Sequence, residues 1–305
     1  MSKVFDLSLI YAMIRSSTPI LFAALCATIT QQANILNIGT EGIMLMSSFI
    51  AVLVSVNTGN WMLAIVIAVI SGVIIAMIMA VAHIKFSANI CAIGVAINLF
   101  AAAITKFGIK RFLGTSGTYT SPEIVGIPRI HIAAFDNIPA LNAVLNNWCI
   151  MEVFGIIMVF VMWYVLFRTR WGLRTRCVGR MPMAAETAGI NVRRIQYQTM
   201  AISGILGGLA GAHLSLGYSQ MFAENMPNGR GFMGVAAMCF GGLNPILTWI
   251  GTLIVGLIDS IGARLQAYGI PSQFILMLPY VFTIVVLVIA MWNKTRSEAK
   301  QKSAI

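Results

Sequence analysis

Long apolar runs, broken at short intervals by polar and glycine-containing connections, set the pattern of this chain. Nine such runs stand out, at 8–30, 42–57, 61–82, 88–105, 150–167, 199–217, 231–244, 246–265 and 273–291. None alternates apolar and polar residues in the way a membrane β-barrel requires. A helix needs roughly 20 apolar residues to cross a hydrocarbon layer about 30 Å thick, and it satisfies its own backbone hydrogen bonds there. The pattern predicts an all-α polytopic membrane protein of about nine transmembrane helices. The shortest runs predict helices that tilt little or break within the membrane.

Composition agrees. Of the 305 residues, 59% are hydrophobic and only 10% charged, with a mean hydropathy of +0.88. Soluble domains carry about 25% charged residues, so most of this surface must face lipid. A net charge of +11 would point to nucleic acid in a soluble protein. Here the charges lie almost entirely in the connections, and the expected partner is the bilayer. The opening segment lacks a small-residue cleavage site and reads as a retained first helix. Cys26, Cys91, Cys149, Cys177 and Cys239 are scattered without CxxC or histidine spacing, so they read as apolar packing residues and no metal, cofactor or disulfide is expected.

Charge then sets orientation. The connection 168–198 carries Arg168, Arg170, Arg174, Arg176, Arg180, Arg193 and Arg194 against Glu186, and the tail 292–305 carries Lys294, Arg296, Lys300 and Lys302 against Glu298. Both are expected on the cytoplasmic side, and the four runs between them make the two placements agree. Counting back puts the connection 106–149 and the N-terminus outside. Lys106, Lys110, Arg111 and Arg129 sit poorly there, partly offset by Glu123 and Asp136. The chain is expected to be one transmembrane domain, 1–305, with two inverted groups of four helices around a central one. Inverted repeats place solute paths near the repeat interface. The echo in sequence is short: Gly42-Ile43-Met44 opens the second run and Gly231-Phe232-Met233 the seventh.

Two stretches carry candidate chemistry. The run Gln31 to Gly42 is polar, yet apolar at Ile35, Leu36 and Ile38, with glycines on both sides of Thr40-Glu41. It reads either as an ordinary inner loop or as a broken helix facing a cavity, with Asn34, Asn37, Thr40 and Glu41 as the residues that would line a solute path. The segment 182–191 has Pro182 at a helix start, Glu186 in its early turns and Gly189 at its stop. Ala184, Ala185 and Ala188 leave it little bulk, so it suits either a partner's groove or a linker lying on the headgroups. Other intramembrane ionisable residues are few (Arg15, Glu152, Asp259, Arg264) and the histidines His83, His131 and His213 are dispersed. No proton relay and no phosphate-binding GxxxxGK[ST] loop appears. ATP, if used, must be hydrolysed by another subunit, and no constellation suggests an enzyme.

A wider set of motifs adds a resemblance to these readings. Arg170-Trp171-Gly172-Leu173-Arg174, Gly179, Ala184 to Val192 and Ser203 to Gly211 resemble permeases of the ribose/branched-chain amino acid class of ABC importers. Asn37 to Gly42, Gly229 to Phe232, Phe240 to Pro245, Ile270 to Gln273 and Leu276 to Tyr280 extend the match over about residues 15–290, and the last motifs look most like the nucleoside-uptake branch. The resemblance implies an ABC importer permease fold in the bacterial cytoplasmic membrane, with the C-terminus cytoplasmic. It implies a second permease subunit (homo- or heterodimer), an ABC ATPase subunit and an extracytoplasmic solute-binding lipoprotein. Pro182, Ala184, Ala185, Glu186, Ala188 and Gly189 would form the helix that couples to the ATPase. The expected cargo is a small polar solute, a nucleoside before a sugar or other small metabolite; an ion-coupled secondary carrier is the rival of another class. Ribose-type permeases have an additional N-terminal helix, whereas this chain is expected to start at their second.

Overall fold

The computed structural model describes residues 8–130 and 146–266, with Met277 and Val281 beyond them. The expected ninth span, 273–291, otherwise falls outside the described residues, as does the tail 292–305.

Eight of the nine apolar runs fold as helices. The first four are α1 (Ser8–Gln31), α2 (Thr40–Thr58), α3 (Trp61–Ile84) and α4 (Ile90–Phe112). Next come α5 (Ile150–Arg168), α6 (Arg170–Arg180) and α7 (Pro182–Thr187). The helix α8 (Val192–Ala212) continues as a π-helical stretch, His213–Ser219. Last are α9 (Arg230–Phe240) and α10 (Pro245–Gln266). Asparagine side chains mark several starts: Asn60, Asn89 and Asn191 each accept from backbone N–H groups of the following turn, the usual way to satisfy orphaned donors.

Seven helices among the described residues are long and apolar enough to cross a membrane, which makes this a multi-pass membrane protein. The seventh run, the shortest of the nine, is among those expected to tilt little or break, and it breaks. It folds as the 11-residue α9, about 16 Å long at 1.5 Å per residue, which is half a bilayer. Gly241, Gly242 and Leu243 then turn the chain, the last two in the left-handed region (φ 54° and 65°). A run of apolar letters does not distinguish a half-length helix followed by a buried turn from a span.

At the centre of the bundle α8 packs against α1, α2 and α3, and 83% of its spanning window is buried, against 22% for α4. The approach of α8 to α3 is a backbone contact. A Cβ added to Gly204 would lie 2.6 Å from Val73 Cα, and one added to Gly208 would lie 2.7 Å from Val69 Cα. With lipid as the alternative neighbour, such close packing of small residues is what holds membrane helices together.

The ends of the helices gather in two sets. One rim brings together Ser55 with Val125, Ile127 with Leu216, Tyr11 with Asn147 and Lys106 with Glu224. Two short antiparallel ladders lie on it: β1 (Thr118–Tyr119) with β4 (Phe222–Ala223), and β2 (Arg129–Ile130) with β3 (Trp148–Cys149). The opposite rim holds Gln32, Gly179 and Leu243. The all-α expectation therefore holds for the spans, while the long connection contributes two-residue strands.

Candidate translocation site

The run between α1 and α2 does not remain at the rim. After the turn at 32–34 it folds back into the bundle. The Asn37 amide donates to Ser203 Oγ at 2.8 Å and approaches Cys26 Sγ at 3.7 Å. Thr40 Oγ1 lies 3.6 Å from the same sulfur and donates to the Asn37 carbonyl at 3.0 Å. Cys26 is five residues before the end of α1, about 7.5 Å in from the rim. The second span therefore begins inside the membrane thickness.

A second helix start meets it there. Glu41, only 8% exposed, accepts from the Gly229 N–H through Oε1 at 2.6 Å and from the Gly231 N–H through Oε2 at 2.7 Å. These are orphan donors at the N-terminus of α9, where an acidic side chain is favoured both as acceptor and by the helix dipole. Position 231 must be glycine for this approach: a Cβ there would lie 2.6 Å from Glu41 Oε2 and 2.8 Å from Glu41 Cα. The depth follows from neighbours on α1. Arg230 pairs with Asp259 at 3.3 Å, and Asp259 also accepts from Ser16; further along, Gly234 lies against Ala23 and Ala24. Glu41 therefore sits between the levels of Ser16 and Cys26, in the middle third of the bundle.

Beside Glu41 opens a cavity of about 330 Å³ lined by Gly42, Asn98, Asn225, Asn228, Gly229 and Phe232, among others. The side chain of Asn98 stitches its wall, accepting from Gly42 N–H at 2.8 Å and donating to the Ile38 carbonyl at 3.1 Å. Amide side chains and one carboxyl group thus border the cavity beside the apolar Leu45, Leu99, Ala102 and Phe232.

Of the four residues expected to line a path, Glu41 borders this cavity, while Thr40 and Asn37 are buried behind it, where they fix the re-entrant run. Asn37 Oδ1 is buried without a partner among the described residues. Asn34 is separate: it is exposed in the rim turn, with φ 62°. Sequence reading missed Asn98, whose signal was an amide inside an apolar run, and Ser203, which partners Asn37.

The helix α7 forms where expected, with Pro182 in its first turn and Gly189 closing it at φ 78°. Its faces are not alike. Ala185 is 3% exposed and packs with Val178, Val192 and Ile195, next to Trp171 and Ile190. Ala184, Glu186, Ala188 and Gly189 face outward, as does Met183 at 84% exposure, while Pro182 is half-buried. Ala185 fastens α7 to its own chain, so it is the outer residues that offer a surface.

Over residues 9–291 the chain matches the family described as branched-chain amino acid transport system / permease component. It belongs to that family. This permease is 34% identical to the nucleoside ABC transporter permease protein NupC of Lactococcus lactis subsp. cremoris, over 94% of its own length and 93% of that protein's. It is 33% identical to the guanosine ABC transporter permease protein NupQ of Bacillus subtilis, with coverage of 94% and 91%. The putative glucose ABC transporter permease protein TsgC13 of Haloferax volcanii is 30% identical, with coverage of 87% and 80%. No solved structure matches the permease. As a membrane subunit of a transport system it is not itself an enzyme.

Proposed function

We propose that this permease forms the path for a nucleoside in an ATP-driven importer, and that solute passes the cavity beside Glu41. The carrying observation is the meeting of two helix starts, those of α2 and α9, in the middle of the bundle at one buried carboxyl group. Interrupted helices at the midplane are how transporters expose backbone groups to a solute while remaining satisfied in lipid. The cargo rests on likeness to NupC and NupQ across nearly the whole chain; a sugar is second, favoured by the likeness to TsgC13.

The remaining parts follow from the same reading. The short helix α7 docks on a separate ATPase through its outward residues, a second permease subunit completes the path, and a solute-binding lipoprotein delivers cargo on the other side. The rim with Gln32, Gly179 and Leu243 is cytoplasmic, as is the tail. Nine segments, with α9 as a half-length member and 273–291 as the last, make two inverted groups of four around α5. The contact between Gly231 and Glu41 supports that pairing, because it sets the first residue of one echoed motif against the residue that precedes the other.

Two experiments test this. In liposomes the chain alone should not accumulate nucleoside under any ion gradient, whereas co-reconstituted second permease subunit, ATPase, ATP and binding protein should give uptake; accumulation by the lone chain would establish a secondary carrier instead. Single cysteines at Thr187 and Thr118 should be labelled from opposite sides, Thr187 from the cytoplasm; the reverse result would invert the orientation.

A further inference from the structure

The helix α9 is held at both ends by the same short run. Glu41 binds its N-terminus. At its other end the Gln32 side chain donates from Nε2 to the Leu243 carbonyl at 2.9 Å, in the left-handed turn that terminates α9. The residues between these two grips, 33–40, are pinned to α1 and α8 through Asn37 and Thr40. A displacement of Gln32 therefore reaches α9 directly.

A second contact of Gln32 is with the cytoplasmic arm. A Cβ added to Gly179 would overlap the Gln32 carbonyl oxygen and lie 2.8 Å from its carbon, so α6 touches this run backbone to backbone. Gly179 adjoins Val178, which carries the buried Ala185 of α7. From α7 through Ala185, Val178, Gly179 and Gln32 to the Leu243 turn and α9, every step is a packed contact or a hydrogen bond. Motion imposed on α7 therefore has a continuous route to α9 through packed backbone and one side-chain hydrogen bond.

We propose that Gln32 is a positioning residue that transmits displacement of the α6–α7 arm to α9 and so to the Glu41 junction at the cavity. The proposal rests on the reading of α7 as the docking helix. It adds the specific residue through which docking is felt in the membrane, with the Leu243 carbonyl as its acceptor. Its requirement is a side chain with a hydrogen-bond donor at the reach of glutamine.

The test uses the complete complex in proteoliposomes, comparing solute imported per ATP hydrolysed. Gln32→Leu removes the donor at similar size, and Gln32→Lys restores one. For Gln32→Leu we expect normal ATPase co-purification, normal hydrolysis and an unchanged melting temperature. Import per ATP should fall roughly three- to tenfold, the range set by one hydrogen bond, and Gln32→Lys should recover most of it. Should Gln32→Leu fail to insert, Gln32→Asn, too short by one methylene, takes its place with the same expectation. An unchanged import per ATP in the donor-less variant overturns the proposal. So does a parallel loss of import and hydrolysis, which marks a residue needed only for assembly, or a failure of lysine to rescue. A wild-type chain that retains no ATPase overturns the docking reading itself, and is distinguishable because it precedes any comparison of variants.

Discussion

The two stretches that carry the candidate function use small and polar residues in opposite ways. The run 31–42 is turned inward. Its side chains are spent on Ser203, on Cys26 and on the two backbone donors of α9, and little of it faces solvent. The α7 segment is turned outward. One alanine fastens it, and most of its remaining residues are exposed. Buried polar groups in a low-dielectric interior are costly when unmatched and therefore specify one arrangement. An exposed two-turn helix specifies little alone and acquires its geometry from what it meets. The first stretch reads as a fixed junction inside the membrane and the second as a surface awaiting a partner.

Substitution at the inner junction should have the largest effect. Gly231→Leu places a branched side chain where not even a Cβ fits beside Glu41. Overpacking of this kind costs about 1–3 kcal/mol or more, and we expect uptake to fall roughly tenfold to well over a hundredfold. Glu41→Gln is milder in volume but leaves an amide NH₂ facing a backbone N–H. One unsatisfied buried donor costs about 1–3 kcal/mol, which corresponds to roughly a tenfold to hundredfold loss of uptake, with membrane insertion near normal. Radiolabelled nucleoside uptake alongside quantified membrane protein separates these outcomes. Normal uptake in both variants would show that the junction is dispensable.

At the outer surface the expected effect is smaller and of a different kind. Ala188→Trp adds a ring on the exposed side of α7. If that side enters a groove on the ATPase, co-purification and uptake should fall together by on the order of tenfold, with the isolated permease as stable as before. Ala185→Trp should instead lower the stability of the permease alone, because the ring has no room among Val178, Val192 and Ile195. Equal behaviour of the two variants in a melting assay would erase the distinction between the faces of α7. A helix resting on headgroups would accept tryptophan, an interfacial residue, without loss of uptake.

Much of this was legible in the sequence, and the reasons differ by residue. The spans followed from length and apolarity because lipid imposes those two requirements on every helix. The boundaries of α7 followed from Pro182 and Gly189, whose backbone preferences are local. The depth of the re-entrant run was not legible. Gln31 to Gly42 serves equally as a surface loop or a buried junction, and the choice depends on Ser203, Gly229 and Gly231, which lie more than 160 residues away. Where α9 stops was hidden for a related reason, since the turn at Gly241 to Leu243 lies inside a run whose brevity allows either little tilt or a break. The inward face of Ala185 was invisible because three alanines in one short helix look alike until something packs on one of them.

The smallest expected effect makes the sharpest cut through the 31–42 run. Asn34 and Asn37 are three residues apart, are both asparagines, and had equal claim to a solute path on sequence. In the fold they have nothing in common. The Asn37 side chain is buried and bound to Ser203, whereas Asn34 is exposed at the rim turn and holds a left-handed backbone at φ 62°. Asparagine tolerates that conformation better than most residues, glycine better still. Asn34→Gly should therefore leave uptake within about twofold of wild type, because it removes a side chain that reaches neither the cavity nor α9 and relieves any backbone cost. Asn34→Ala should lower stability slightly, through φ alone, by under about 1 kcal/mol, and still transport. A loss of uptake in Asn34→Gly comparable to that in Asn37→Ala would place the rim turn on the solute's route, and the path would then have to extend from the Glu41 junction along the whole run to the rim that holds Gln32, Gly179 and Leu243.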